Sequence, residues 1–471
     1  MNGSTKHVAA LVAALFLTEV NSPAGDALRV NIVRTNVVNK SFSGIGFGTT
    51  AHLGKTTPRD VADVFAKRWR EASPSHALVA HTWDWEWASA VPFIKNCYAG
   101  SEIWLTTVNF GMTGGENGST PEKVAAMLER LVKKEGVKKV TRYIIDASWP
   151  GAAVNPADAE TFKKALTAEL NKLGLKIEVC IGTPGTTIGP KDLGDDSVSS
   201  AEKGLRIAER TIDAINAGQP WVTIMTWNDL PPNIKAGSKA TGIFQWDSPK
   251  FSTRDAYYAA GLISKHTWAP SEAYKWVRGK AHGNFSDVEV NAKAACLKSL
   301  EENETTLLLV VRHPSQIACQ WGFGLRKHMH VEGQYSYPLA QVPRHPFGDI
   351  PTALDTKTGA NKRVGIPFRV NADSLHICRT FHLDTEHPEQ IRFIDVSEAE
   401  GGGNLLKWDA VVDKDLCYYR VYRMNMPKFR FAKKTQIGST VATSFTDKNP
   451  PKGKKAYYAV VATDHFDNCL K

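Results

Sequence analysis

The chain has 471 residues, 42% hydrophobic and 23% charged, with a formal net charge of +10. That length leaves room for several domains, and the composition is that of a globular protein, which excludes disordered and fibrous classes. The positive charge is scattered, without a basic helix, an RNP-like motif or zinc-ligand spacing, so nucleic acid is not an expected partner.

The first residues read as a secretory signal. Lys6 and His7 precede an apolar run from Val8 to Leu17 that is too short to span a bilayer, and small residues between Ser22 and Ala27 offer a cleavage region. Removal of residues 1–27 and a secreted or extracytoplasmic protein are therefore expected, and no later segment is apolar enough for a transmembrane helix. The seven cysteines contain no CxxC spacing, and their odd number defeats a complete disulfide framework; Cys180, inside an apolar strand, reads as a buried thiol.

Strands and helices then alternate. Ser43–Gly48 is a short strand, and Pro58 opens a helix through Arg70 from the first helical position. His76–Ala80 is a second strand, ending in His81-Thr82-Trp83-Asp84-Trp85-Glu86-Trp87. Ile103–Val108 is a third, ending at Asn109. Thr120-Pro121-Glu122 opens a helix with Val124, Met127, Leu128 and Leu131 on one face. Val140–Ile145 is a fourth strand, ending in Asp146-Ala147-Ser148-Trp149. A helix over 158–173 and a fifth strand, Leu175–Ile181, follow. Gly182–Ser199 is polar and rich in Gly and Pro, and reads as a loop with no strand. After a helix over about 201–217 comes the strand Trp221–Thr226, which meets Trp227-Asn228-Asp229 and a Pro-Pro break that neither helix nor strand crosses. Gly242–Trp246 brings apolar residues back over that strand end. The next helix, capped by Ser252 or Thr253 and running to about Ser264, turns Tyr257, Tyr258, Gly261 and Leu262 inward.

This alternation predicts an α/β unit over 28–270, a TIM-type β/α barrel whose site lies at the carboxyl ends of its strands. Only six strands are legible where a closed barrel needs eight, so the barrel lacks about two βα units near 182–200. From Tyr274 the pattern turns to β and predicts two all-β sandwich domains, at 271–386 and 388–471, making the chain multidomain. Pro314–Ile350, rich in His, Pro, Gly and aromatics, has no assignable pattern. Two histidines in His328-Met329-His330 lack a third ligand nearby and read as surface, so neither metal nor cofactor is expected.

The last segment carries Trp408, the strand Cys417–Arg423 with its Tyr-x-Val-Tyr-Arg phrase, and Tyr457-Tyr458-Ala459-Val460-Val461-Ala462; it resembles a fibronectin type III module. Four phrases carry a second resemblance: Ser43-Gly44-Ile45-Gly46-Phe47, His81-Thr82-Trp83, Thr226-Trp227-Asn228-Asp229, and Trp246–Pro249 with Ala256–Leu262. Together they are similar to clan A glycoside hydrolases, retaining (β/α)₈ glycosidases with a β-sandwich behind the barrel. The resemblance implies an oligo- or polysaccharide ligand, with His81, Trp83, Asn109, Trp149, Trp227, Asn228, Asp229 and Trp246 around it and Trp227 as the sugar platform.

A retaining mechanism needs two carboxyl groups about 5–5.5 Å apart. In that family the acid/base is a Glu of an Asn-Glu pair after the fourth strand, and the nucleophile a Glu after the seventh. Here Ala147 and Ser148 stand in the Asn-Glu place, Asp146 is the only carboxylate close by and the first catalytic candidate, and the seventh strand is missing. Three readings follow: a hydrolase working through substitute carboxylates such as Asp146, Asp229 or Glu86; a glycan-binding pseudoenzyme; or a truncated gene product. Whether the chain is an enzyme is left open by its residues.

Overall fold

The computed structural model describes residues 26–50, 59–81, 87–98, 100–107, 120–145, 156–182, 185–195, 197–225, 252–267, 270–280, 286–287, 289–300, 304–322, 329–342, 350, 360–361, 365–380, 388–413, 416–427, 431–432, 434–451, 453, 455–464 and 469. A long first strand, β1 (Asp26–Phe42), pairs antiparallel with β9 (Ser271–Gly279) and parallel with β13 (Ile317–Gly322). Residues 28–42, grouped with the α/β unit on sequence, thus belong by pairing to the following β region. The strand starts at Asp26, inside the expected leader.

The α/β unit runs β2 (Ile45–Thr50), α1 (Arg59–Ala72), β3 (His76–His81), α2 (Trp87–Cys97), β4 (Glu102–Thr107), α3 (Pro121–Glu129), β5 (Val140–Ile145), α4 (Pro156–Lys172) and β6 (Glu178–Ile181). It continues with β7 (Thr186–Ile188), the short α5 (Pro190–Leu193), α6 (Ser200–Asn216), β8 (Val222–Ile224) and α7 (Asp255–His266). These strands form one seven-stranded parallel sheet in the order β6-β5-β4-β3-β2-β8-β7.

Two sequence expectations are corrected here. The loop at 182–199 does contain a strand: Thr186–Ile188 pairs parallel with Val222–Ile224. Three residues with two threonines are too short to show any alternation, so only the pairing reveals them. Trp87, read as the tail of a strand, instead begins helix α2. The helix from Ala201 is confirmed in place. Ser199 Oγ accepts from Glu202 N at 3.1 Å, and Gly218, at φ 73, closes the helix with its N–H on Ile215 O.

Alternate residues of the parallel strands go to two different cores. Val79, Leu105, Tyr143, Ile145, Val179 and Ile224 pack with helix residues such as Leu128, Leu166 and Ile212. Leu78, Trp104, Ile144, Cys180 and Trp221 form a separate cluster with Met225 against it. A sheet can enclose its own second face in this way only by curling.

The β region places β9, β11 (Asn291–Ser299), β12 (Thr305–Arg312), β14 (Met329–Pro338), β16 (Gly365–Val370) and β17 (Ser374–Thr380) in a ten-stranded sheet with β1 and β13. The two-residue β10 (Ser286–Asp287) and β15 (Ala360–Asn361) complete it. So β13 and β14 occupy part of the segment that sequence left unassigned. One face buries Leu28, Val30, Leu307, Leu309 and Cys378. The other packs on α6 and α7, which is why α7 is buried nearly all round rather than on one stripe. Arg312 ties the sheet to α6 through Glu202 (2.7 Å) and Glu209 (2.7 Å).

The last unit has two three-stranded antiparallel sheets, β18 (Asp395–Glu398) with β19 (Asn404–Lys407) and β22 (Ser444–Asp447), and β20 (Leu416–Met424) with β21 (Gln436–Thr440) and β23 (Tyr457–Asp464). Trp408 packs edge-on against Tyr419 at 5.4 Å, in a cluster with Leu406, Val421 and Val460. Its indole N–H is buried, with no partner among the described residues. Trp408→Ala should therefore cost about 3 kcal/mol, the low end for a buried Trp. Chemical denaturation of the variant measures this, and a loss below about 1 kcal/mol would place Trp408 outside the core.

Candidate functional site

Because every strand of the curled sheet is parallel, all its carboxyl ends lie along one edge, and the residues singled out on sequence follow those ends in the chain. His81 is the last residue of β3. Asp146 directly follows Ile145, the end of β5, and Asn109 comes two residues after Thr107, the end of β4. Trp83, Asn109, Asp146, Trp149, Trp227, Asn228, Asp229 and Trp246 all lie outside the described residues, as does Glu86. Met329 and His330 open β14, and His328 lies outside the described residues.

Beneath that edge the enclosed face is filled from the amino ends of the strands. The His76 ring stacks on Trp104 at 3.6 Å and 9°, and Trp104 meets Trp221 edge-on at 5.0 Å. The Arg142 guanidinium sits 4.6 Å from the Trp104 ring and 4.3 Å from Trp221, flanked by Glu178 at 2.7 Å and Glu102 at 3.5 Å. Glu102 also accepts from Trp104 Nε1 (2.9 Å) and Thr141 Oγ1 (2.9 Å). Gly46 is required at the top of this plug, since a Cβ there would lie 2.3 Å from His76 Cδ2 and 2.4 Å from His76 O.

Sequence reasoning missed this cluster. Its signal was present as Arg142 within the apolar strand Val140–Ile145 and as the period-2 spacing of Glu102 and Trp104. Chemically the plug is a stable floor: its two glutamates are the first residues of β4 and β6, at the end of the sheet opposite the predicted site. Among the described residues, Thr106 Oγ1, further along β4, and Trp221 Nε1, in the plug itself, are buried without a partner. Asp192 Oδ2, near the end of β7, accepts from Gly189 N at 2.8 Å and caps α5, while Asp195 Oδ1 accepts from Ser197 N and Oγ. Both are engaged locally. Cys180 is buried in the enclosed face, and burial, ahead of the Glu178 charge, pushes its thiol up to about 11.

Burial, reinforced by the Arg142 charge, holds His76 down at about 3, and its Nε2 lies 2.8 Å from Thr223 Oγ1. Burial alone takes His376 to about 3, with Ser374 Oγ 2.9 Å from its Nε2. Both rings are neutral in the fold. The unfolded chain binds protons below about pH 6.5 that the fold refuses, so stability is full above that pH and falls as pH drops toward 3. Each ring should contribute a loss of about 1.4 kcal/mol per pH unit. Urea unfolding at pH 7 and pH 5 measures the slope; equal stability at both would show that the rings ionise in place.

Comparison with solved structures puts the fold among glycoside hydrolases. The catalytic domain of GH30 xylanase C from Talaromyces cellulolyticus matches with a TM-score of 0.54 at 10% identity, covering 75% of this chain and 100% of that one. A glycoside hydrolase family 30 subfamily 8 xylanase from Clostridium acetobutylicum matches with 0.51 at 11% identity, over 75% and 99%. A conserved exported protein from Bacteroides fragilis gives 0.50 at 9%, over 74% and 99%. No family model matches the sequence, and no curated protein does. At such identities the likeness concerns the fold. No helix among the described residues is long and apolar enough to cross a membrane.

Proposed function

We propose that this chain binds an oligo- or polysaccharide at the carboxyl edge of its curled sheet, on the scaffold of a clan A glycoside hydrolase, without ordinary retaining turnover. The observation that carries this is β7. It lies beside β8, in the place a barrel's seventh strand takes, and its end reads Ile188-Gly189-Pro190, with no carboxylate. On this reading the sheet is a barrel lacking one strand, between β6 and β7, rather than two units.

The fourth barrel strand corresponds to β5. There Ser148 replaces the proton donor, and a serine hydroxyl is far too weak an acid to protonate a glycosidic oxygen near neutral pH. Asp146 is the remaining carboxylate next to that strand. A lone acid without an opposed nucleophile does not support the covalent route. Trp83, Trp149, Trp227 and Trp246, with His81, Asn109, Asn228 and Asp229, are the binding set, planar rings for sugar faces with polar groups for hydroxyls. The 388–471 unit is a fibronectin type III-like module serving as spacer or adaptor, and the chain is exported after loss of its leader.

The test uses the purified chain. Aryl β- and α-glycosides should give no turnover above about 1 s⁻¹, while binding to immobilised xylan and other polysaccharides is retained and drops at least about tenfold in Trp227→Ala. Turnover abolished by Asp146→Asn would overturn the proposal and make Asp146 the acid/base. Binding that is indifferent to Trp227→Ala would refute the platform.

A further inference from the structure

We propose that the last unit is seated on the α/β unit by an intramolecular interface, the outer face of β20 and β21 against α1, so that the two open as one body. Two elements that should each keep a solvent face have none. An outer helix of a β/α unit turns an apolar stripe to the sheet and a polar stripe to water. In α1 the inward residues are Phe65, Ala66, Trp69 and Ala72. Yet Lys67, Arg68 and Glu71, on the rest of its circumference, are buried as well, with Lys67 only 3% exposed. β20 shows the same thing from the other side. Tyr419 and Val421 point into the core of the last unit, so by period 2 Tyr418, Arg420 and Tyr422 stand on its outer face. In a free-standing sandwich that face meets water. Here Tyr418 is 2% exposed and Tyr422 4%.

The two hidden faces cover each other. β20 and β21 lie against α1. The Lys67 ammonium sits over the Tyr418 ring, 5.0 Å from its centre. Arg420 lies over the same ring at 5.4 Å and donates to Tyr418 Oη at 2.7 Å, which holds the ring in place. Val441, just beyond β21, packs on the hydrophobic core that also contains Phe65 and Trp69. Taking a lysine out of water is costly unless a partner offsets it, and the Tyr418 face is such a partner. Trp69 in turn meets Phe47 of β2 edge-on at 5.8 Å, so the seat is continuous with the parallel sheet. Held in this way, the last unit is an adaptor of fixed direction rather than one on a loose tether, whether or not a polysaccharide binds.

The experiment is amide exchange of the full chain, read on peptides from α1 and from β20, in the parent, Lys67→Met, Tyr418→Leu and the double variant. Each single substitution should lower protection about tenfold in both segments, including the one it does not touch. The double variant should lose about tenfold too, rather than about a hundredfold, because both changes remove one shared contact. Tyr418→Phe keeps the ring and should leave α1 near the parent. If Tyr418→Leu fails to fold, Lys67→Met still reads the coupling from the α1 side, in β20. Losses confined to the substituted unit overturn the proposal, as do losses that multiply in the double variant. So does a Tyr418→Phe chain as impaired as Tyr418→Leu, or a parent whose β20 opens well before α1.

Discussion

Replacing Glu304 with alanine should cost about 3–5 kcal/mol, as removal of one partner from a buried ion pair does. Glu304, just before β12, holds Arg379 of β17 at 2.6 Å, with side chains only 6% and 3% exposed. The two positions meet because β12 and β17 are paired, Thr306 opposite Arg379. Arg379 also reaches His266 Nδ1 at 3.4 Å, at the end of α7, where the α/β unit rests on the ten-stranded sheet. Alanine takes away this carboxylate and leaves the guanidinium's charge buried. Glu304→Gln keeps the shape and one acceptor and should cost less. Urea midpoints of the two variants measure the difference, and an alanine loss within about 0.5 kcal/mol would mean that water or another anion compensates the charge.

Trp104→Ala should cost a similar amount, at least about 3–5 kcal/mol for a buried aromatic. The indole is 1% exposed, touches the His76 face, the Trp221 edge and the Arg142 guanidinium, and donates its Nε1–H to Glu102. Removing it opens a cavity inside the curled sheet. It also takes one of the two rings from Arg142, a contact worth about 0.5–2 kcal/mol. Trp104→Phe keeps most of the stacking but loses the Nε1 bond to Glu102, so it should fall between. Thermal unfolding ranks the three proteins. An alanine variant melting with the parent would mean that the sheet does not close around this ring.

The parallel α/β unit was legible because its strands are separated by helices with strong start signals, such as Thr120-Pro121-Glu122, where Thr120 Oγ1 accepts from Lys123 N at 3.3 Å. The last unit was legible from Trp408 and the Tyr-rich strands, whose alternation is that of a two-faced sheet. Two features were hidden for different reasons. β7 is three residues long and polar, so it exists only through its ladder to β8. β1 carries Asn, Arg and Lys among its valines, and its register to β9 shifts repeatedly, which blurs the period-2 signal.

For the predicted site, the residue types and their place after strand ends came from sequence. The floor beneath them did not. His76, Trp104, Arg142 and Trp221 come from four strands or their ends, as far apart as 147 residues for the His76–Thr223 bond.

By itself the sequence determined what local periodicity and capping encode: the longer helices and strands of the α/β unit, the switch from α/β to β, the burial of Cys180 and the absence of a glutamate at Ala147-Ser148. Only the tertiary structure decided the neighbours: that β7 flanks β8, that β1 leaves the α/β unit for the ten-stranded sheet, and that Arg142 lies between two tryptophans over two glutamates. The physical reason is that strand pairing and burial of charge are non-local. A short polar strand or an inward arginine is stable only when a distant segment supplies its hydrogen bonds, aromatic faces and counter-charges, and no local pattern records which segment that is.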